Sequence, residues 1–458
     1  MKSKESGAAV GTRPVRLLRP WHGAALLTAG VIVLGINMRT AITGLPPVFP
    51  ELESALHLSP GTLSLLAAIP VLCFGVFSGA GAPLSRRFGE ERVLGVAVVL
   101  LAAGLLLRGV SPSVLLFPGT VIAGAAIALL NVLLPSLVKR RIPERAGLVI
   151  GLYLAMLSGG AIVASALAVP VFNAAGGGET SGSASVRIVL GLWAGPAVLA
   201  AALWLPQLRY RTMPAGAATG RAVPIAGGLA GEAVLAGEAV LPGTAVTAAT
   251  RPAGVLAMGR SVLAWQVTLF MGLQSLSYYA ALSWFPTMFR DRGISAVHAG
   301  DLLALMNLGN AVTCLLIPVL AHRAADQRKL AVATMVGCGA GIAGAVFGPS
   351  ALEPGFILVL GLGQGAALGL AIFYTMARAP DPATAASLSA FAQGVGYLLA
   401  STGPLTIGFL HDATGSWTVP GVVLLGVVTA QLITGWFAGR ALTVPGAVFR
   451  RARAVAQE

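Results

Sequence analysis

The chain has 458 residues, of which 56% are hydrophobic and only 10% charged, with a mean hydropathy of +0.85. Soluble domains carry about 25% charged residues, so this composition excludes a soluble enzyme or binding module and indicates a polytopic protein lying in a lipid bilayer. The formal net charge of +14 does not argue for a nucleic-acid partner, because Lys and Arg fall in short runs between apolar stretches and form no continuous basic face.

Allowing about 20 residues per crossing, twelve stretches qualify. A basic tail, residues 1–23, is followed by spans at roughly 24–46, 61–83, 93–110, 112–137, 147–173 and 186–206, which together form a first six-helix bundle over 24–206. The apolar stretch after the tail is too long for a signal-peptide core and lacks a clear cleavage site, so the tail is expected to stay attached. Residues 207–261 are dominated by Ala, Gly, Pro, Thr and Val and read as a low-complexity linker on the cytoplasmic side. Spans then recur at roughly 262–288, 297–320, 330–349, 354–377, 384–410 and 418–439, a second bundle over 262–440, before a basic tail at 441–458. The expected fold is an all-α membrane protein of twelve transmembrane helices in two pseudo-symmetric bundles. That is the plan of secondary transporters, which place their sites between the halves. No Walker A sequence is present to supply ATP-driven transport.

Cationic residues set the orientation. With the N-terminus inside, Arg86, Arg87, Arg92, Lys139 to Arg141, Arg145, Arg323, Arg328, Lys329 and Arg378 all face the cytoplasm, while the outside receives only Arg108, Arg187, Arg290 and Arg292. Both termini are therefore expected in the cytoplasm, in a cell inner membrane.

Within the spans, Arg39 is the ionisable side chain that stands deepest, about fifteen residues into the first helix. A charge at that depth is costly and marks a functional site by default. Its guanidinium offers a planar fork of donors suited to a small oxyanion or an acceptor-bearing ring. The competing account ties Arg39 to backbone carbonyls or to Glu51 or Glu53. Thr43 shares its helix face, and Asn37 lies two residues away on a different one. In the seventh span, Gln266, Gln274 and Tyr278 line one face at four-residue spacing, a polar stripe expected to look into a cavity or to bind a neighbouring helix. Asn131, Tyr153, Asn307, Asn310, Tyr374, Gln393 and Tyr397 supply further amides and aromatic walls. The substrate-binding candidates are Arg39, Asn37, Thr43, Asn131, Tyr153, Gln274, Tyr278, Gln393 and Tyr397.

Other chemistry is not indicated. Cys73, Cys314 and Cys338 lie within spans without metal or disulfide spacing and read as packing residues. The five histidines, at helix ends or loops, accompany no nucleophile or metal pattern, so no catalytic residue, metal or cofactor is expected. No Asp or Glu falls in mid-span, which leaves proton coupling open, through a peripheral acid such as Glu51, the substrate itself or water. Gly75-x-x-x-Gly79, Gly337-x-x-x-Gly341 and Gly365-x-x-x-Gly369, inside apolar helices, are close-packing surfaces.

Several segments carry a resemblance: Asn37-Met38-Arg39, Pro70 to Gly75, Arg86-Arg87-Phe88-Gly89 with Glu91-Arg92, Asn131 to Pro135, Trp265 to Thr268, Gly272 to Ser275, Ala392 to Tyr397 and His411 to Trp417. Their order and spacing resemble the cyanate and 2-nitroimidazole transporter family of the major facilitator superfamily. The resemblance runs from the first span to the twelfth and excludes the tails and linker. It implies an alternating-access carrier of small solutes, a small anionic or planar acceptor-rich molecule in particular, with the direction of transport undetermined. One departure stands out. Many facilitators carry Gly-x-x-x-Asp-Arg-x-Gly between the second and third helices, whereas here Ala82 and Arg86 occupy the first Gly and the Asp positions, leaving Arg87 and Gly89. The gating candidates are therefore Arg86, Arg87, Gly89, Arg92, Arg323 and Asp326, the three arginines Arg86, Arg87 and Arg92 meeting helix C-termini or Glu90, Glu91 and Asp326; plain cytoplasmic anchoring is the competing account. A monomer is expected. The alternative function is a membrane sensor of the same fold, which binds the ligand without moving it and signals through the linker or basic tail.

Overall fold

In a bilayer no water is available to satisfy the backbone, so helices that pair their N–H and C=O groups internally are the accessible conformation for these stretches. The computed structural model describes residues 20–177, 182–204 and 255–444, and it is helical with no strand among them. The first half contains α1 (Pro20–Thr43), a short α2 (Phe49–Leu56), α3 (Pro60–Phe77), α4 (Gly81–Phe88), α5 (Glu90–Val110), α6 (Pro112–Arg141), α7 (Ala146–Ala174), α8 (Gly182–Leu192) and α9 (Ala194–Trp204). The second contains a four-residue turn α10 (Val255–Met258), then α11 (Val262–Asp291), α12 (Ala296–Arg323), α13 (Arg328–Phe347), α14 (Glu353–Ala377), α15 (Pro382–Thr414) and α16 (Thr418–Ala438). The tails at 1–19 and 445–458 and the linker at 205–254 lie outside the described residues, and α10 stands within the stretch that composition marks as linker.

Local chemistry fixes where helices start. Ser59 and Asp381 accept from the amides of Thr62 and Thr384, each followed by Pro at the first helical position, where a missing N–H costs nothing. Ser261 and Ser295 cap α11 and α12 in the same way. Gly89 turns the chain between α4 and α5 at φ +87°, a conformation that disfavours any residue with a Cβ. The sixth span is broken at Trp193. Pro196 lacks the N–H that would reach Leu192 and crowds that carbonyl, so the helix restarts as α9.

Among the described residues, ten helical segments are long and apolar enough to cross a membrane, α1 with α2 and α8 with α9 each counting as one. The long helices outside that set are α11 and α15, the more polar ones, and they pack against each other in the second bundle. The two bundles meet where α3 packs on α15 and α7 on α12. The end that bears the start of α1 and the α4–α5 turn is called inner below.

Arg108, read from sequence as an outer-side cation, is 2% exposed, more deeply buried than the half-buried Arg39. It donates to Ala41 O at 2.7 Å and Thr120 Oγ1 at 2.9 Å, fastening α5 to α1 and α6. At the inner end of the second bundle, buried Arg378 donates to Ala438 O, Gly439 O and Gln327 Oε1, joining α14 to α16 and the start of α13. Both cations donate to oxygens of the scaffold, which is the usual condition for burying a charge.

Candidate functional site

A cavity of about 230 Å3 opens between the bundles, below the roughly 300–1,000 Å3 typical of pockets for drug-sized ligands. Its size suits a small solute. Six of the nine sequence candidates line it: Arg39 from α1, Asn131 from α6, Tyr153 from α7, Tyr278 from α11, and Gln393 and Tyr397 from α15. Asn307 and Asn310 from α12 join them, along with apolar side chains such as Met38, Phe74 and Met271.

Arg39 sits over the Tyr278 ring, 5.9 Å from its centroid. Tyr153, Tyr279 and Tyr397 line the same cavity. Its Nη1 is buried with no hydrogen-bond partner among the described residues. Neither acid that sequence offered as a tether meets it: Glu51 pairs with Arg290 at 2.8 Å, and Glu53 is exposed. Each bundle contributes a tyrosine–asparagine pair: Tyr153 donates to Asn131 Oδ1 at 3.0 Å and Tyr278 to Asn307 Oδ1 at 2.8 Å. Tyr397 meets Phe74 edge to face at 5.6 Å across the α3–α15 contact, and Gln393 donates to Ser389 Oγ. No carboxylate stands in the wall among the described residues.

Three candidates lie away from the cavity. Asn37 is fully buried on the other side of α1 and donates to Trp193 O at 3.0 Å, using a carbonyl next to the helix break. Thr43 gives its hydroxyl to Arg39 O at 2.9 Å and approaches Ala161 O at 3.4 Å, bonds that hold α1 to itself and to α7. Thr43→Val is therefore expected to leave the apparent KM of solute uptake within about twofold of wild type, because a satisfied helix-packing hydroxyl offers nothing to a ligand. Gln274 donates to Gln364 O and Oε1, both at 3.3 Å, in a network with Ser275 and Ser277. The polar stripe of α11 thus divides: Gln266 accepts from Arg440, Gln274 binds α14, and Tyr278 alone faces the cavity. Tyr374 packs on Phe270 beneath Arg378, outside the wall. Sequence reasoning passed over Tyr279 because adjacent residues point to different helix faces; a large ring spans that difference, and Tyr279 lines the cavity. Cys314, read as a packing residue, lines it too.

The gating candidates cluster at the inner end. Arg86, Arg87 and Arg92 are exposed and form no ion pair with a described residue; Arg87 rests on the neighbouring Phe88 ring. Glu90 and Glu91, their expected partners, are taken by Arg140 and Arg141 at the end of α6, which reach them from the facing helix. Asp326 caps α13 through Arg328 N at 2.8 Å and pairs with the Arg328 side chain, while Arg323 is exposed. The contacts that close the bundles on each other stand at the opposite end. Arg290 of α11 pairs with Glu51 of α2, and Phe49 meets Trp284 edge to face at 6.0 Å. The cavity continues inward past Pro135, Pro318 and Ile372. The conformation is thus closed outside and extends inward. The Glu51–Arg290 pair is half-buried, so it is placed at the upper end of the about 0.2–1 kcal/mol that solvent-reachable pairs contribute, and Glu51→Gln is expected to raise the outward-facing population by roughly fivefold, read as increased labelling of a cysteine placed at Leu45 by a membrane-impermeant reagent.

Two helical bundles joined over a central cavity have the form of a membrane carrier. The Major Facilitator Superfamily pattern matches residues 27–404. The chain is 37% identical over 417 residues to the 2-nitroimidazole transporter of Escherichia coli (strain K12), covering 91% of this chain and 95% of that one. It is 30% identical over 407 residues to the cyanate transport protein CynX of the same organism, covering 88% and 95%. Among solved structures, a D-xylose-proton symporter superposes with a TM-score of 0.65 at 15% identity, covering 93% of this chain and 98% of that one, which speaks to the fold. The chain belongs to the major facilitator superfamily and, within it, to the cyanate and 2-nitroimidazole transporter family. It is a multi-pass membrane transporter of a small solute.

Proposed function

We propose that the central cavity binds a small, planar, acceptor-rich or anionic solute at Arg39 and carries it across the membrane by alternating access, with no chemical step. The observation that carries this reading is the Arg39 guanidinium facing the cavity, with a buried Nη1 free of protein acceptors. An unpaired buried donor is costly, and a ligand acceptor removes the cost. The aromatic wall fits a flat solute. Cyanate and 2-nitroimidazole, which name the relatives, both have this chemistry. The basic residues at the inner ends support an inner membrane with both termini in the cytoplasm.

A melting-temperature screen of the purified carrier tests the assignment. At 100 times its Kd a ligand of the folded state stabilises by about 2.7 kcal/mol. Cyanate or 2-nitroimidazole is expected to raise the midpoint, and stabilisation by organic cations instead would contradict a cationic site.

A further inference from the structure

The two tyrosine–asparagine pairs of the cavity differ in one respect. Tyr153 and Asn131 both belong to the first bundle, and their hydrogen bond stays inside it. The Tyr278 pair continues across the seam. Tyr278 donates to Asn307 Oδ1, Asn307 Nδ2 donates to Ser165 Oγ on α7 at 3.3 Å, and Ser165 donates to Ala161 O at 2.8 Å. This is an uninterrupted run of donors from the ring under Arg39 to the opposite bundle. Its members are buried, with Tyr278 6%, Asn307 3% and Ser165 0% exposed. Two turns outward on α12, a Cβ at Gly300 would lie 2.7 Å from Ser165 O, so the backbones of α7 and α12 touch at the same seam.

We propose that Tyr278, Asn307 and Ser165 are positioning residues that couple solute occupancy to release of the outer closure, a proposal that rests on Arg39 being the solute site. An acceptor-bearing solute held by the guanidinium lies beside the Tyr278 hydroxyl and competes with the Asn307 amide for its proton. A charged or nitro oxygen is the stronger acceptor. Once the hydroxyl turns, Asn307 Oδ1 loses its donor, the amide is held chiefly by Nδ2 donating to Leu303 O of its own helix at 3.0 Å, and the longer bond across to Ser165 and with it the α7–α12 contact weakens. Hydrogen bonds in such a run polarise one another, so loss of the first weakens the next. A solute that prefers the released arrangement thereby shifts the carrier toward outward opening by its differential affinity.

Hydrogen–deuterium exchange on the full-length carrier, with 2-nitroimidazole as probe, tests this. In wild type the probe is expected to raise deuterium uptake in the outer halves of α7 and α12. Tyr278→Phe keeps the ring under Arg39 but removes the hydroxyl for which Asn307 and the solute compete, so it should bind the probe about two- to tenfold more weakly and, at saturating probe, lose the increment. Ser165→Ala cuts only the crossing bond; it should show raised uptake without probe and little further change with it. A wild-type increment in either variant at saturating probe overturns the coupling, as does loss of probe binding in Ser165→Ala, a residue outside the cavity wall. Absence of any probe-induced melting shift in wild type overturns the solute reading instead.

Discussion

Proteoliposomes carrying Arg39→Ala are expected to transport 2-nitroimidazole at about one hundredth of the wild-type kcat/KM or less. Each charge-assisted hydrogen bond to the fork contributes about 1.5–3 kcal/mol, and two are lost together. At 1.4 kcal/mol per factor of ten, that is about two orders of magnitude or more. Arg39→Lys keeps the charge but not the planar geometry, and should lose about tenfold. Folding offers an independent check. Because the Arg39 side chain makes no hydrogen bond or ion pair to a described residue, its removal should not lower the melting midpoint. Undiminished initial uptake in the Ala variant would remove Arg39 from the site.

The second large effect concerns stability. Gly341→Val is expected to lower the melting midpoint sharply, whereas Gly337→Val, one turn earlier on α13, should leave it nearly unchanged. A Cβ at Gly341 would stand 2.6 Å from both Leu360 N and Cα on α14, backbone atoms that cannot turn aside. A Cβ at Gly337 meets nothing within 4 Å. Overpacking of a close contact costs typically about 1–3 kcal/mol, and more where only helix displacement relieves it. Fluorescence-detected melting of the two purified variants decides the matter, and equal midpoints would mean that α13 and α14 have room to separate.

The architecture was legible because a bilayer leaves few options. Roughly 20 apolar residues with terminal cations mark a span whatever its neighbours do, and α5, α13 and α16 begin and end within a few residues of their expected limits. The site was legible only in part. Asn131, Tyr153 and Tyr397 were picked by residue type and face the cavity, but type and spacing do not say whether a polar group is already satisfied. Asn37 Nδ2 is taken by the helix break at Trp193 and Gln274 by Gln364, while Asn37 Oδ1 finds no partner among the described residues. The Trp193 break depends on a proline in another span, which helical spacing in α1 cannot reveal. The outer Glu51–Arg290 pair spans 239 positions in sequence, and no local pattern joins its partners. Gly337 and Gly341 share one motif, yet only the packing of α14 separates them.

The polarity of α11 and α15 bears on how the chain is made. When α11 leaves the ribosome it carries Gln274, Ser275, Ser277, Tyr278 and Tyr279 in its middle, and the residues that later accept it, Gln364 on α14 and the face of α15, have yet to be synthesised. Lipid is a poor temporary solvent for those groups. Partition into the bilayer on its own merits therefore fits the ten apolar segments better than these two, and α11 is the helix that would have to linger beside the insertion machinery until its partners emerge. Mutations that cut the Gln274–Gln364 contact should accordingly show first as lower yield of inserted protein, before any deficit in transport per molecule.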